Sequence, residues 1–141
     1  MGRLPAALLA GLAPPVPPLR IAGAGLSLGI VTAGRRDSVE PQLERHGLGT
    51  LLPARVYGDD PFEPKPGPGG LRHAIGALGL AGQPGEIAYV GDALDDMRMA
   101  QAAGARGVGI RSDLATDGEL RAAGASEVAD SVSAWVDVLL G

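Results

Sequence analysis

The chain has 141 residues, the length of one domain, and is 45% hydrophobic but only 3% aromatic, so a core must be built from Leu, Val, Ile and Ala. A formal net charge of -4 gives no basic field for nucleic acid, and the lack of cysteine excludes disulfides, thiolate catalysis and sulfur-bound zinc. No apolar run is long enough to cross a bilayer.

Residues 1–18 are rich in proline and contain no acid. Met1-Gly2-Arg3 followed by Leu4 to Ala13 has the outline of a signal peptide. Pro5 inside that run, with Pro14, Pro15, Pro17 and Pro18 directly after it, equally suits a loop or a short helix with Pro5 in its first turn. Leu19 to Gly25 reads as the end of a helix stopped by Gly23 and Gly25. Leu26 to Thr32 is the first strand, and no strand-like run stands upstream of it. Gly23, Gly25 and Gly29 precede and enter that strand, the wrong order for a dinucleotide fingerprint.

Asp37 with Glu40 three residues later predicts a capped helix running to His46, and Pro41 confines its start to the neighbourhood of Asp37. His46 and Gly47 suit the end of that helix. Arg55 to Tyr57 is a short strand, followed by a polar, proline-rich loop from Gly58 to Gly70 that carries Lys65. Leu71, Ile75 and Leu78 mark a helix with His73 at its surface or boundary. Ile87 to Val90 is a buried strand, Met97 to Ala103 a helix, Arg106 to Ile110 a strand and Glu119 to Ala123 a brief helix. Val132, Trp135, Val136, Leu139 and Leu140 follow helical spacing, with Asp130 as cap and Trp135 as a core anchor. Strands alternating with helices predict a layered α/β domain with a mostly parallel sheet.

The richest stretch chemically is Glu86 to Met97. A short apolar run halts at Gly91 and two closely spaced acids, the pattern of a buried strand that ends in a loop at the carboxyl edge of a parallel sheet. Asp92 would project just beyond the strand, where a hard cation such as Mg²⁺ is held by one or two carboxylates and its own waters, and Asp96 can face the same space. A plainer reading stays open, in which Asp92 or Asp95 merely caps the helix that follows.

Three features stand in order: a strand ending at Thr32, Lys65 in the loop Glu63-Pro64-Lys65-Pro66-Gly67-Pro68, and the Gly91-Asp92 turn with Asp96. Together they resemble motifs II, III and IV of the haloacid dehalogenase superfamily of phosphohydrolases, closest to its phosphoglycolate-phosphatase-like branch. LGIVTAGRRDSVEPQLERHGL and YVGDALDDMRMAQAAGA are especially similar to that branch, and the resemblance runs from about residue 14 to the end.

The resemblance implies phosphoryl transfer to a strand-end aspartate, with a second aspartate protonating the leaving oxygen. Thr32 and Lys65 would be the catalytic residues retained. Thr32, Ala33 and Lys65 would bind the phosphate, and Asp92 and Asp96 would serve Mg²⁺, the implied cofactor. The implied substrate is a small phosphorylated metabolite, with neither nucleic acid nor membrane as partner and a cytoplasmic location.

The family's first motif, Asp-x-Asp-x-Thr or Val, is absent, because no acid precedes Asp37. Ala33 and Ala93 also stand where relatives carry Asn and Ser or Thr. The expected fold is therefore a partial Rossmannoid three-layer α/β/α domain lacking the central nucleophile strand and the cap, with residues 1–18 as a remnant of the cap region and 19–141 as the core. Leu26 to Thr32 and Ile87 to Val90 would then offer open edges to a strand-complementing partner or a second copy. The expected function is a Mg²⁺-dependent phosphatase, truncated at its amino terminus and inactive as this chain. The alternative is a non-catalytic interaction module.

Overall fold

The computed structural model describes residues 6–11 and 16–141. Its strands are β1 (Ala6–Leu9), β2 (Ser27–Val31), β3 (Ala54–Val56), β4 (Ile87–Gly91), β5 (Arg106–Ile110) and β6 (Ala125–Ala129). Its helices are α1 (Val16–Gly23), α2 (Arg36–Arg45), α3 (Gly69–Ala77), α4 (Leu94–Ala103), α5 (Asp117–Ala123) and α6 (Val132–Leu140). The strands form one six-stranded sheet in the order β3-β2-β1-β4-β5-β6, and every pairing is parallel.

Helices on both faces make the three layers. Alternation along the strands divides the core: Ala6, Leu8, Val31 and Tyr89 face one way, packed with Leu71 and Ile75 of α3 and Met99 of α4. Ala7, Leu9, Ile30 and Val90 face the other, packed with Ile21 of α1, Leu43 of α2 and Trp135 and Val136 of α6. Trp135 is a core anchor, 5% exposed. Gly29 is required by a close approach, since a Cβ there would lie 2.5 Å from the Leu8 side chain and 2.7 Å from the Ala54 carbonyl oxygen.

The α/β layers and the parallel sheet agree with expectation, but the empty central position does not. Ala6–Leu9 fills it, with Leu9 in register with Ile30 on one side and Val90 on the other. A parallel strand buried on both faces shows no polar alternation to betray it. Residue 18 lies inside α1, and β1 before it is the middle of the sheet. The edges expected to invite a complementing strand are both hydrogen-bonded to β1, so that slot is closed from within. Of the signal-like stretch Met1 to Ala13, residues 1–5, 12 and 13 lie outside the described residues, as do Pro14 and Pro15.

Smaller corrections concern helix ends and one strand. Helix α2 begins at Arg36 with no side-chain cap, not at an Asp37 capping box, although His46 does close it. The Ser131 hydroxyl, not Asp130, caps α6 by accepting the Ala134 N–H at 3.0 Å. Strand β6 was not anticipated, because Glu127 and its half-exposed neighbours give an edge strand no apolar run. Among the described residues no helix is long and apolar enough to cross a membrane.

Candidate functional site

The chain leaves β1 through α1 to reach β2 on one side, whereas β4 lies on the other side, so the strand order reverses between β1 and β4. Open α/β sheets hold their ligands in the crevice outside the carboxyl ends of the strands at such a switch point. A cavity of about 500 Å³ lies there. The end of β1 contributes Leu9, Ala10 and Gly11, the end of β2 Thr32 and Ala33, and the end of β4 Gly91, Asp92 and Ala93. Lys65 enters from the loop after β3, and Asp96 from the first turn of α4. All five anticipated residues, Thr32, Ala33, Lys65, Asp92 and Asp96, thus line one space.

Thr32 follows the last residue of β2, and its N–H still bonds the Val56 carbonyl at 3.0 Å. Its hydroxyl oxygen accepts the Gly34 N–H at 3.1 Å, which turns the chain and leaves the hydroxyl proton available to an anion in the cavity. Lys65 extends its ammonium to Asp96, with Nζ 2.7 Å from Oδ1 and the lysine side chain only 18% exposed. Nζ also lies 5.5 Å from the centre of the Tyr89 ring.

Asp96 is the most constrained group present. It is 4% exposed, the buried charged residue of the core. Oδ1 takes the Lys65 ammonium, with the Tyr89 hydroxyl 3.3 Å away, and Oδ2 accepts the Ala93 N–H at 3.2 Å. Asp96, not Asp92 or Asp95, therefore satisfies the start of α4. Gly91 is the residue that lets it sit there, since a Cβ at that position would lie 2.5 Å from Oδ2.

Tyr89 was not singled out by the sequence, where it reads as one more strand residue. Fully buried, its hydroxyl donates its one proton to the Val31 carbonyl oxygen at 2.8 Å, with Asp96 Oδ1 a longer, secondary contact at 3.3 Å. Burial first and the nearby Asp96 carboxylate second push its phenol well above the ordinary range. The one signal available was a polar tip on an otherwise apolar strand two residues before Gly91.

Asp92 is half-buried on the cavity wall and enters no ion pair among the described residues. Nor do three or more His, Cys, Asp or Glu side chains gather as a metal cluster among them. With Asp96 engaged at both oxygens, one free carboxylate remains. That donor set suits Mg²⁺ only when phosphate oxygens complete the shell, because Mg²⁺ keeps most of its waters and is commonly held by one or two carboxylates plus a bound phosphate. The central strand offers no further acid: its cavity-lining residues Leu9, Ala10 and Gly11 carry no nucleophilic atom.

Comparison with known proteins agrees with this geometry. The profile described as haloacid dehalogenase-like hydrolase matches residues 20–110. A phosphoglycolate phosphatase of Pectobacterium atrosepticum is 36% identical over 91 residues, which are 64% of this chain and 38% of that protein. Pyrophosphatase PpaX of Bacillus velezensis is 38% identical over 87 residues, 62% of this chain and 39% of its own length. The chain thus spans about two fifths of the curated relatives it matches. Among solved structures, a hydrolase from Pseudomonas syringae superposes with a TM-score of 0.75 at 27% identity, covering 88% of this chain and 56% of the other. A haloacid dehalogenase-superfamily hydrolase from Geobacter sulfurreducens superposes at 0.69 with 22% identity, covering 88% and 53%, a likeness of fold.

Proposed function

The chain belongs to the haloacid dehalogenase-like hydrolase family, and from that premise we propose that its switch-point cavity binds a small phosphorylated metabolite together with Mg²⁺ but does not hydrolyse it. The observation that carries this reading is the convergence of Thr32, Lys65 and Asp92 on one cavity whose central strand ends in Leu9, Ala10 and Gly11. Phosphoglycolate and pyrophosphate, named in two relatives, are representative of the ligand size.

Each retained residue has a defined task. The Thr32 hydroxyl donates to a phosphate oxygen, and its lone pair stays with Gly34. Lys65 supplies positive charge from an ammonium whose position is fixed by Asp96, and it has donors to spare, since –NH₃⁺ carries three. Ala33 brings backbone without a polar side chain. Asp92 is the residue that would hold Mg²⁺, which when bound would offset charge on the phosphoryl oxygens. Asp96 serves the metal only indirectly, as counter-ion of Lys65 and anchor of α4. Turnover through an aspartyl-phosphate needs a carboxylate at the end of β1, and an alkyl side chain there cannot attack phosphorus. A cytoplasmic setting, where phosphorylated metabolites are made, belongs to the same reading.

Isothermal titration of the purified chain with inorganic phosphate, with and without MgCl₂, tests it. Saturable phosphate binding that Mg²⁺ strengthens, with no phosphate released from a small phosphoester, is the expected result. Steady Mg²⁺-dependent release that disappears in Asp92→Asn would overturn the non-catalytic reading, and absence of binding under both conditions would overturn the whole.

A further inference from the structure

A second cavity, of about 240 Å³, lies beside the first and shares Thr32, Ala33 and Lys65 with it as a common wall. Its remaining walls are mainly apolar, with Val31 and Val56 from the sheet, Met99 from α4, and Phe62 and Pro64 from the loop that carries Lys65; Tyr57 and Glu63 are its polar members. An opening of this size between packed elements is costly, because apolar walls forfeit contacts that closer packing would supply.

One glycine lets α3 pack closely against β3 beside this cavity. Gly70, on the first turn of α3, is buried, and a Cβ there would project among the cavity walls, 3.1 Å from Val56 Cγ1 and 3.8 Å from Phe62 Cβ. The close approach of Val56 accounts for glycine here, and a larger side chain at this position would reach into the same space.

We infer that this side cavity receives the organic part of the ligand whose phosphate lies at Thr32 and Lys65, and that the ligand class is a phosphomonoester of a compact aryl or branched-alkyl group. The inference rests on the phosphate-binding reading given above. Cavities of about 150 Å³ with apolar walls accept benzene, so a single ring with a small substituent suits the volume here. Polyhydroxylated groups are disfavoured, because most of the wall beyond Thr32 and Lys65, formed by Val31, Val56, Phe62 and Met99, offers hydroxyls no partner, and only Tyr57 and Glu63 add polar side chains there. The anionic end is directed by Lys65, the shared-wall residue that carries positive charge, and the apolar end by the walls beyond it.

Titration of the full chain in MgCl₂ with inorganic phosphate, phenyl phosphate and glycerol 3-phosphate reads this out. Phenyl phosphate should bind about tenfold tighter than inorganic phosphate, the gain from burying part of a ring, and glycerol 3-phosphate no tighter. Gly70→Leu should abolish the phenyl preference and leave inorganic phosphate unchanged. Met99→Phe narrows the same cavity from α4 and serves where the first variant fails to fold. Equal affinity for phenyl phosphate and inorganic phosphate, or a phenyl preference that survives in a folded variant, overturns the side-cavity assignment alone. Failure of the unaltered chain to bind inorganic phosphate overturns the phosphate-binding reading and this inference with it.

Discussion

Lys65 and Asp96 stand 31 residues apart in the chain and 2.7 Å apart in space, the lysine on a loop after β3 and the aspartate on the first turn of α4. Asp96 is 4% exposed, and that ammonium is its counter-ion. Lys65→Met should destabilise the domain by about 3–5 kcal/mol, the cost of stranding a buried charge. The double variant Lys65→Met/Asp96→Asn should recover much of that loss, since the amide oxygen can still accept the Ala93 N–H without carrying a charge. Urea unfolding of the two variants checks the sign, and a double variant less stable than Lys65→Met would show that the ion pair is not what holds Asp96.

One glycine substitution should be harmful and another helpful. At Gly91 a Cβ would lie 2.5 Å from Asp96 Oδ2, whereas at Gly76, inside α3, nothing lies within 4 Å. Gly91→Ala must displace Asp96 or the strand end, an overpacking cost of about 1–3 kcal/mol, and should weaken phosphate binding along with stability. Gly76→Ala should stabilise by roughly 0.5–1 kcal/mol through helix propensity. Thermal melts of both variants decide it, and two shifts of the same sign would contradict the close approach at Gly91.

Charge in the cavity is out of balance by one carboxylate, because Lys65 is neutralised by Asp96 and Asp92 has no cation beside it among the described residues. An anion entering without metal meets that carboxylate. Asp92→Asn should therefore bind inorganic phosphate about tenfold tighter than the unaltered chain in metal-free buffer, a plausible magnitude for removing one like charge a few ångströms away. It should also lose the improvement that Mg²⁺ brings. Calorimetry with and without MgCl₂ measures both effects, and weaker metal-free binding in the variant would mean that Asp92 does not face the anion.

How much of this could be read from the sequence depended on whether a residue sits where a local pattern changes. Thr32 and Asp92 lie where apolar β runs stop, and Lys65 lies in a run of prolines, so their meeting at one sheet edge followed from the strand ends alone. Strand β1 was illegible because Ala6-Ala7-Leu8-Leu9 consists of good helix formers, follows Pro5 and is buried on both faces. Its identity as the central strand comes only from its partners, Ile30 and Val90, far along the chain. The Lys65–Asp96–Tyr89 cluster was hidden for the same reason: each member has an ordinary local role, and only the fold supplies the contact. The contacts of Asp96 with Lys65 and the Ala93 N–H were likewise not legible from its place four residues after Asp92.

Tyr89 gives the domain an alkaline limit. Its hydroxyl is buried between the Val31 carbonyl and Asp96, so the folded protein holds the phenol proton more tightly than the unfolded chain, where tyrosine titrates at about 10. Below that value both states are protonated and the stabilisation is complete. Above it the unfolded chain loses the proton first, so stability falls as pH rises towards the folded-state value. Tyr89→Phe should cost about 1–2 kcal/mol at neutral pH, since the Val31 carbonyl loses a buried donor. It should also flatten the loss of stability above about pH 10. Tyr57, the other of the two tyrosines, is also raised by burial and keeps a residual slope in the variant. Urea midpoints from pH 8 to pH 11 separate the two effects, with pH values chosen to bracket an ordinary tyrosine at about 10. An unchanged alkaline slope in Tyr89→Phe would mean that the hydroxyl is not held neutral by the fold.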